Sequence, residues 1–361
     1  MQKTDNPMAD RVASFCNTYG MDIPVLMAPM AGACPPQLAS AVCNAGGMGA
    51  CGALLMDAET IENWVSDVRS STNGAFQINT WVPDPAPLRN KEHELELRMF
   101  LEQWGPAVSE SAADAQPIDF DMQCEAMLAA GPRVISSIMG LYPEEFVKKM
   151  KANNIHWFAT ATTVTEALAA EAAGADVIVA QGMEAGGHRG AFDADAAHAN
   201  LVGLFSLLPA IVDSVNVPVV ATGGIADARA VAAAIILGAS AVQIGTGLLR
   251  STQANTPAVL ADAMALSRPE HTVATRAFSG RLGRSLKTAY TDAASDGRNP
   301  APAPFPIQRN LTAPMRTEAS KSQNIEAMQA WAGQSAGLAQ SGSAADIVAG
   351  LWGEARGLLA V

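Results

Sequence analysis

Residues 181–190 read QGMEAGGHRG, and they follow directly on an apolar, β-branched run, DVIVA, at 176–180. Two later runs of the same kind end in the same way, with TGGI at 222–225 and QIGTG at 243–247. A glycine placed just after a strand has no side chain to hold a ligand away from the backbone, and amides left free there can hold a phosphate. Three such strand ends close together in sequence predict one cofactor site. His188 is the only imidazole inside any of them.

Working outward from these segments, short apolar runs followed by turn residues and a helical pattern occur at 25–30, 48–53, 76–81, 133–139, 156–161, 176–182, 218–224 and 241–247. Alanine-rich amphipathic stretches fill most of the intervals, at 36–45, 58–70, 143–152, 165–173 and 227–237. Thr165 and Asp227 stand where helix N-caps belong, and Gly174 and Gly238 where left-handed helix ends belong. Eight strands alternating with helices predict an α/β chain folded as a parallel (β/α)8 barrel, with Asp176 and Ala241 at its bottom and Gln181 and Gly245 at its top. Two stretches exceed a minimal barrel. Residues 83–121 carry a Pro-rich turn and a charged amphipathic helix, and residues 251–334 carry helical pieces, a basic loop and a Pro-rich linker. Both are read as a smaller helical cap over the mouth, which leaves 1–82, 122–250 and 335–361 to the barrel. The stretch 344–359 reads as a helix returning to the body.

The chain has 361 residues, enough for one large core and a smaller appended one, and 49% of them are hydrophobic against 16% charged. A net charge of −12 excludes a surface built for nucleic acid or an anionic membrane. No run reaches the ~18 apolar residues of a membrane span, and the N-terminal MQKTDNPMAD has no apolar stretch after its charges; a cytoplasmic protein is expected. The five cysteines, Cys16, Cys34, Cys43, Cys51 and Cys124, form no CxxC pair and read as reduced and structural. Cys34 and Cys51 lie near strand ends, where a reactive thiol would have to sit. His93, His156, His188, His198 and His271 show no metal-binding spacing, so no metal is expected. No GxSxG elbow and no early GxGxxG fingerprint appears.

In a β/α barrel the ends of the seventh and eighth strands form the usual phosphate site, so Gly223, Gly224, Gly245 and Thr246 are positioned to donate amides to a phosphomonoester such as flavin mononucleotide (FMN). The plainer alternative is that these glycines serve tight turns alone. The MAPM segment at 27–30 ends the first strand, and Gln77 and Asn79 stand near the end of the third, where amides can pair with the edge of an isoalloxazine or simply cap turns. Arg281, Arg284 and Lys287 form a basic group, read as a solvated loop or as a guide for an anionic ligand.

Taken together, MAPMAG (27–32), QINTW (77–81), AQGMEAGGHRG (180–190), ATGGIAD (221–227), VQIGTGLL (242–249), PFPIQRNLT (304–312) and WAGQSAGLA (331–339) resemble the nitronate monooxygenase family, formerly called 2-nitropropane dioxygenases. The resemblance implies an FMN enzyme on a TIM barrel that oxidises alkyl nitronates, and nitroalkanes as a further substrate class, with O2 to a carbonyl compound and nitrite. It makes His188 the base or the cationic partner of the nitronate, with anion placement favoured. It gives Ala28, Met30, Asn79, Gln181, Gly187, Gly223, Gly224, Gly245 and Thr246 to the flavin. Related enoyl-thioester and quinone reductases carry similar GGH loops, so an NAD(P)H-dependent reductase is the enzymatic alternative and a flavin-binding redox sensor the non-enzymatic one. The expected partners are a small anionic substrate and O2; monomer and homodimer both stay open. Two features depart from the family. FATATT at 158–163 offers threonines where some relatives carry a lysine, and Phe305 cannot donate a hydrogen bond, which shifts substrate orientation to Tyr290 or to backbone groups.

Overall fold

In the computed structural model, which describes residues 6–359, all eight expected runs are parallel strands of one sheet. The readings made for residues 1–5 and 360–361, including their place in the barrel, lie outside the described part. The strands, with a two-residue segment counted as β7, are β1 (Val25–Met27), β2 (Gly49–Gly52), β3 (Phe76–Trp81), β4 (Val134–Ile138), β5 (His156–Ala161), β6 (Val177–Gln181), β7 (Gly187–His188), β8 (Val219–Thr222) and β9 (Ala241–Ile244). Their order is β1-β9-β8-β6-β5-β4-β3-β2, and a parallel bridge between Leu26 and Met48 joins β1 to β2 and closes the ring. The barrel strands are nearly all buried, as they must be with helices outside and side chains filling the interior. Several end earlier than their apolar runs: β1 stops at Met27, ahead of Pro29, which has no amide to continue a ladder.

Register aligns the decisive segments. Gln181 pairs with Thr222, Thr222 with Gln243, and Met27 with Ile244, so the chain leaves β6, β8, β9 and β1 at one level. Asp227 caps the helix Ala228–Ile236 by accepting from Ala230 N at 2.9 Å, as expected. An earlier unit corrects the sequence reading: Thr163, not Thr165, caps Val164–Ala172, because its extended backbone turns its hydroxyl onto Glu166 N at 3.2 Å. Gly174 (φ 98°) and Gly238 (φ 110°) take the left-handed conformation that ends both helices. The final helix, Ala344–Leu359, packs on Ala228–Ile236 and Pro36–Asn44, filling the outer ring between the last and first units.

A second hydrophobic cluster sits apart from the barrel core. It gathers Leu97, Phe100 and Leu101 with residues from 249 onward, around Phe278, Tyr290, Leu311 and Met315. Beside the helices expected there, this region holds antiparallel strands β10 (Thr272–Thr275) and β11 (Gly283–Leu286). The short β7 completes their sheet, with His188 opposite Gly283 and Gly187 opposite Arg284. The loop carrying the imidazole is thereby built into the second cluster's sheet. Among the described residues no helix is long and apolar enough to cross a membrane.

Candidate active site

At the C-terminal ends of the barrel strands lies a cavity of about 740 Å³, within the range of small-molecule and cofactor sites. Every residue that the sequence assigned to a flavin, Ala28, Met30, Asn79, Gln181, Gly187, Gly223, Gly224, Gly245 and Thr246, lines it, and so does His188. Gly223 (φ 109°) and Gly224 (φ 71°) occupy backbone conformations that side chains rarely adopt. The amides of Gly223, Gly224, Gly245 and Thr246 donate to none of the described residues, which leaves a cluster of N–H groups at one end of the cavity. The segment 331–335 closes over this end. Gly333 N donates to Thr246 Oγ1 (2.9 Å), and Ser335 Oγ donates to Gly224 O (2.5 Å).

Free amides with two hydroxyls beside them suit a phosphate, and the rest of the wall suits a flat heterocycle with polar edges. Asn79 gives its Nδ2 to Ser136 Oγ (3.1 Å), which leaves its carbonyl oxygen for a ligand. Gln243 accepts from Gln77 Nε2 (3.1 Å), which leaves its NH2 group. Gln77 itself is wholly buried beneath the cavity, bonded also to Met27 O (3.3 Å), so it is a support and not the ligand contact the sequence allowed. The residues present therefore fit FMN.

His188 is flanked edge-on by Trp81 (centroids 4.6 Å) and Trp331 (4.9 Å). Its Nε2 lies 2.7 Å from Ser279 Oγ, which also reaches Arg281 O at 3.2 Å; donation of that hydroxyl to the carbonyl puts the ring proton on Nε2 and leaves Nδ1 its lone pair. Burial, with the charges of Arg281, Arg309 and Arg316 added, lowers its pKa from 6.5 to about 3. The ring is neutral near pH 7, which of the two roles expected for it favours the base over the cation.

The positive charge comes from elsewhere. Arg309, Arg316 and Lys321 line the cavity, and among the described residues no Asp or Glu does. Arg316 is held by Thr312 Oγ1 (3.1 Å), Gln329 Oε1 (3.1 Å) and Arg309 O (2.9 Å). The Arg309 guanidinium has no acceptor among the described residues. The three basic residues singled out from sequence do not form a group. Arg281 is buried and pairs with Asp84 (Nε to Oδ2 2.7 Å), Arg284 is buried and donates to Met183 O (2.8 Å), and Lys287 is exposed. Tyr290 is likewise no ligand contact: it is fully buried in the second cluster, with its hydroxyl on Ala277 O at 2.8 Å. Phe305 packs on Trp81 at 5.1 Å between centroids.

All five cysteines are buried and free. Burial raises the Cys34 thiol to about 12 and Cys51 well above its ordinary value, so neither is a thiolate near neutral pH. Cys34 instead accepts from Met30 N at 2.9 Å and shapes the MAPM turn. Gln243, Ser279, Arg309, Arg316, Trp331 and Ser335 were not singled out from sequence. Four of them, Gln243, Arg309, Trp331 and Ser335, lie inside the quoted motifs, which was the available signal; Ser279 and Arg316 carried none.

Residues 15–354 match the family model described as nitronate monooxygenase. The chain belongs to the nitronate monooxygenase family. It is 36% identical over 334 residues to a probable nitronate monooxygenase of Staphylococcus aureus (strain MSSA476), an alignment covering 92% of this chain and 94% of that one. The counterpart from strain Newman is 35% identical over the same shares. Among solved structures, a nitroalkane oxidase from Streptomyces ansochromogenes is similar with a TM-score of 0.87 and 32% identity, covering 96% of this chain and 99% of the other. FabK from Thermotoga maritima is similar with a TM-score of 0.75 and 26% identity, covering 96% and 97%. Membership makes this chain an oxidoreductase of a flavin-dependent family whose chemistry is the oxidation of nitronates.

Proposed function

We propose that this protein, with FMN bound, oxidises alkyl nitronates with dioxygen to an aldehyde or ketone and nitrite, and takes neutral nitroalkanes as a second substrate class. The observation that carries the reading is the cavity wall: two arginines, a lysine, a neutral imidazole and no carboxylate among the described residues, in a chain of net charge −12. Such a wall selects an anion. FMN, when bound, supplies the electron acceptor for the substrate and the route to dioxygen. The amides of Gly223, Gly224, Gly245 and Thr246 would hold its phosphate, and Asn79, Gln243, Ala28 and Met30 would hold the rest of the group. Arg309 and Arg316 place the anionic substrate. The lone pair of His188 Nδ1 accepts a proton when the substrate arrives as a neutral nitroalkane, and Trp81 and Trp331 keep water from the ring. Residues 83–121 and 251–334 act as the substrate-side cap, since Ser279, Arg309, Arg316 and Trp331 all come from the second stretch. Five free, buried thiols fit a reducing compartment such as the cytoplasm.

The similarity to FabK keeps an NAD(P)H-dependent reductase as the second reading. Purified protein should be yellow and release FMN on denaturation. Oxygen uptake with ethyl nitronate, coupled to nitrite release, should greatly exceed NADH oxidation with a quinone. Fast NADH turnover with no nitrite would replace the first reading by the second.

A further inference from the structure

Something must hold His188 at a fixed place on a glycine-rich loop, and two side chains do so: Gln181 grips the backbone on either side of Arg189, and Arg189 grips the backbone of Gln181. Gln181, the last residue of β6, donates from Nε2 to His188 O (3.0 Å) and accepts at Oε1 from Gly190 N (2.8 Å). It thus binds the chain on both sides of Arg189. Arg189 reaches back: Nη1 donates to Gln181 O (2.5 Å), and Nη2 to Thr162 O (3.1 Å) and Asn200 O (3.2 Å). Gln181 is 7% exposed and Arg189 5%. Arg189 makes no salt bridge among the described residues, so the partners of this buried guanidinium are three backbone carbonyls, met by a planar fork of fixed geometry. Burial lowers its pKa to about 10, still far above neutrality, so the fork stays charged. On the far side the loop is fixed by Arg189 N to Leu282 O (2.8 Å) and by the pairing of His188 with Gly283.

We propose that Gln181 and Arg189 form a reciprocal clamp that sets the position of the His188 imidazole. Gln181 is then a positioning residue for the loop and not a principal flavin contact, because its acceptor and one of its donors already serve the backbone of residues 188 and 190. The glycines of the segment make the clamp necessary. Gly186 and Gly187 allow the chain to turn steeply, with Gly187 at φ 73°, and the same freedom would let the ring wander without an anchor after it. This inference rests on the reading of His188 as a group that acts on substrate.

The test compares flavin-loaded wild type with Gln181→Met, Arg189→Met and the double variant. Flavin affinity is read by fluorescence, and turnover of ethyl nitronate and nitroethane is measured at saturating FMN. In Gln181→Met, kcat on nitroethane should fall roughly tenfold or more while the FMN Kd stays within about threefold. The double variant should be little worse than either single one, since both remove one unit. Amide exchange at Gly190, whose N–H donates to Gln181, should speed up by about tenfold. A tenfold weaker FMN Kd with unchanged kcat in the loaded enzyme would overturn the clamp, as would multiplying losses in the double variant or unchanged exchange at Gly190. If Arg189→Met does not fold, the Gln181→Met split between Kd and kcat decides alone. A wild type without nitronate turnover counts against the proposed reaction, and the Gly190 exchange still decides the clamp.

Discussion

At the scale of single residues, the site divides labour between a neutral ring and fixed cations. His188 sits between two indoles with its Nε2 against Ser279 Oγ, and in the proposed reaction Nδ1 is the nitrogen that takes the proton. His188→Asn should retain FMN and lose turnover of nitroethane by ~10² or more, because only a neutral substrate needs the base. The loss on preformed ethyl nitronate should be much smaller; equal losses on both would remove the base role. Arg309 serves a different function. Its guanidinium has no partner among the described residues and lines the cavity, so Arg309→Ala should leave the fold untouched. If it binds substrate and transition state alike, KM for ethyl nitronate should rise about tenfold with kcat nearly constant. Steady-state kinetics against an unchanged melting temperature would check this. Arg316 would be a poorer choice, since its three hydrogen bonds also tie Thr312, Gln329 and Arg309 together.

At the scale of elements, the site depends on how closely the β6 loop, the end of β9 and the segment 331–335 approach one another. A Cβ added at Gly186 would lie 2.4 Å from Gly333 N and 2.6 Å from Ala332 C, backbone atoms that cannot move aside cheaply. Gly186→Ala should therefore destabilise by roughly 1–3 kcal/mol and weaken FMN binding. Denaturant unfolding with and without FMN would show it, and a variant indistinguishable from wild type would mean that the segment is not pressed against the loop. What could be read in advance follows the same geometry. The barrel strands were legible because parallel strands are buried on both faces and read as apolar runs, and the alternation of runs and alanine-rich stretches carries the topology. The glycine cradle was legible because it follows the strand ends directly. The sheet of β10, β11 and β7 was not, since its segments TVAT, GRSL and GH form no apolar run to mark them as strands. Nor was the true basic wall: Arg309 and Arg316 reach the cavity through the packing of the second cluster, whereas Arg281, which looked exposed in a basic loop, finds Asp84 at a separation of 197 residues. Long-range partners of that kind leave no local pattern.

At the scale of the whole molecule, buried titratable groups set the pH range in which the fold is most stable. His188 has a folded pKa of about 3 against an ordinary 6.5. Below 6.5 the unfolded chain takes up a proton that the folded chain refuses until near 3, so protonation favours unfolding and stability falls as pH falls through that window. Asp296, held at about 2 by Arg298, and Glu94, lowered by Arg89, act in the same direction, because their stabilisation needs the carboxylate. The thiols limit the other side. Burial raises Cys16 and Cys43 to about 11 and Cys34 and Cys124 to about 12 from 9.0. Above 9 the unfolded chain releases these protons while the folded chain keeps them, so stability falls again as pH rises. Urea unfolding should therefore give a plateau between about pH 6.5 and 9, with a decline on each flank. Replacing the ring isolates its share: the stability of His188→Asn relative to wild type should be greater by about 3 kcal/mol at about pH 4.5 than at about pH 7.5. Parallel curves for the two proteins across the acid flank would mean that the imidazole is solvated and titrates normally, and its neutrality in the cavity would have to be given up.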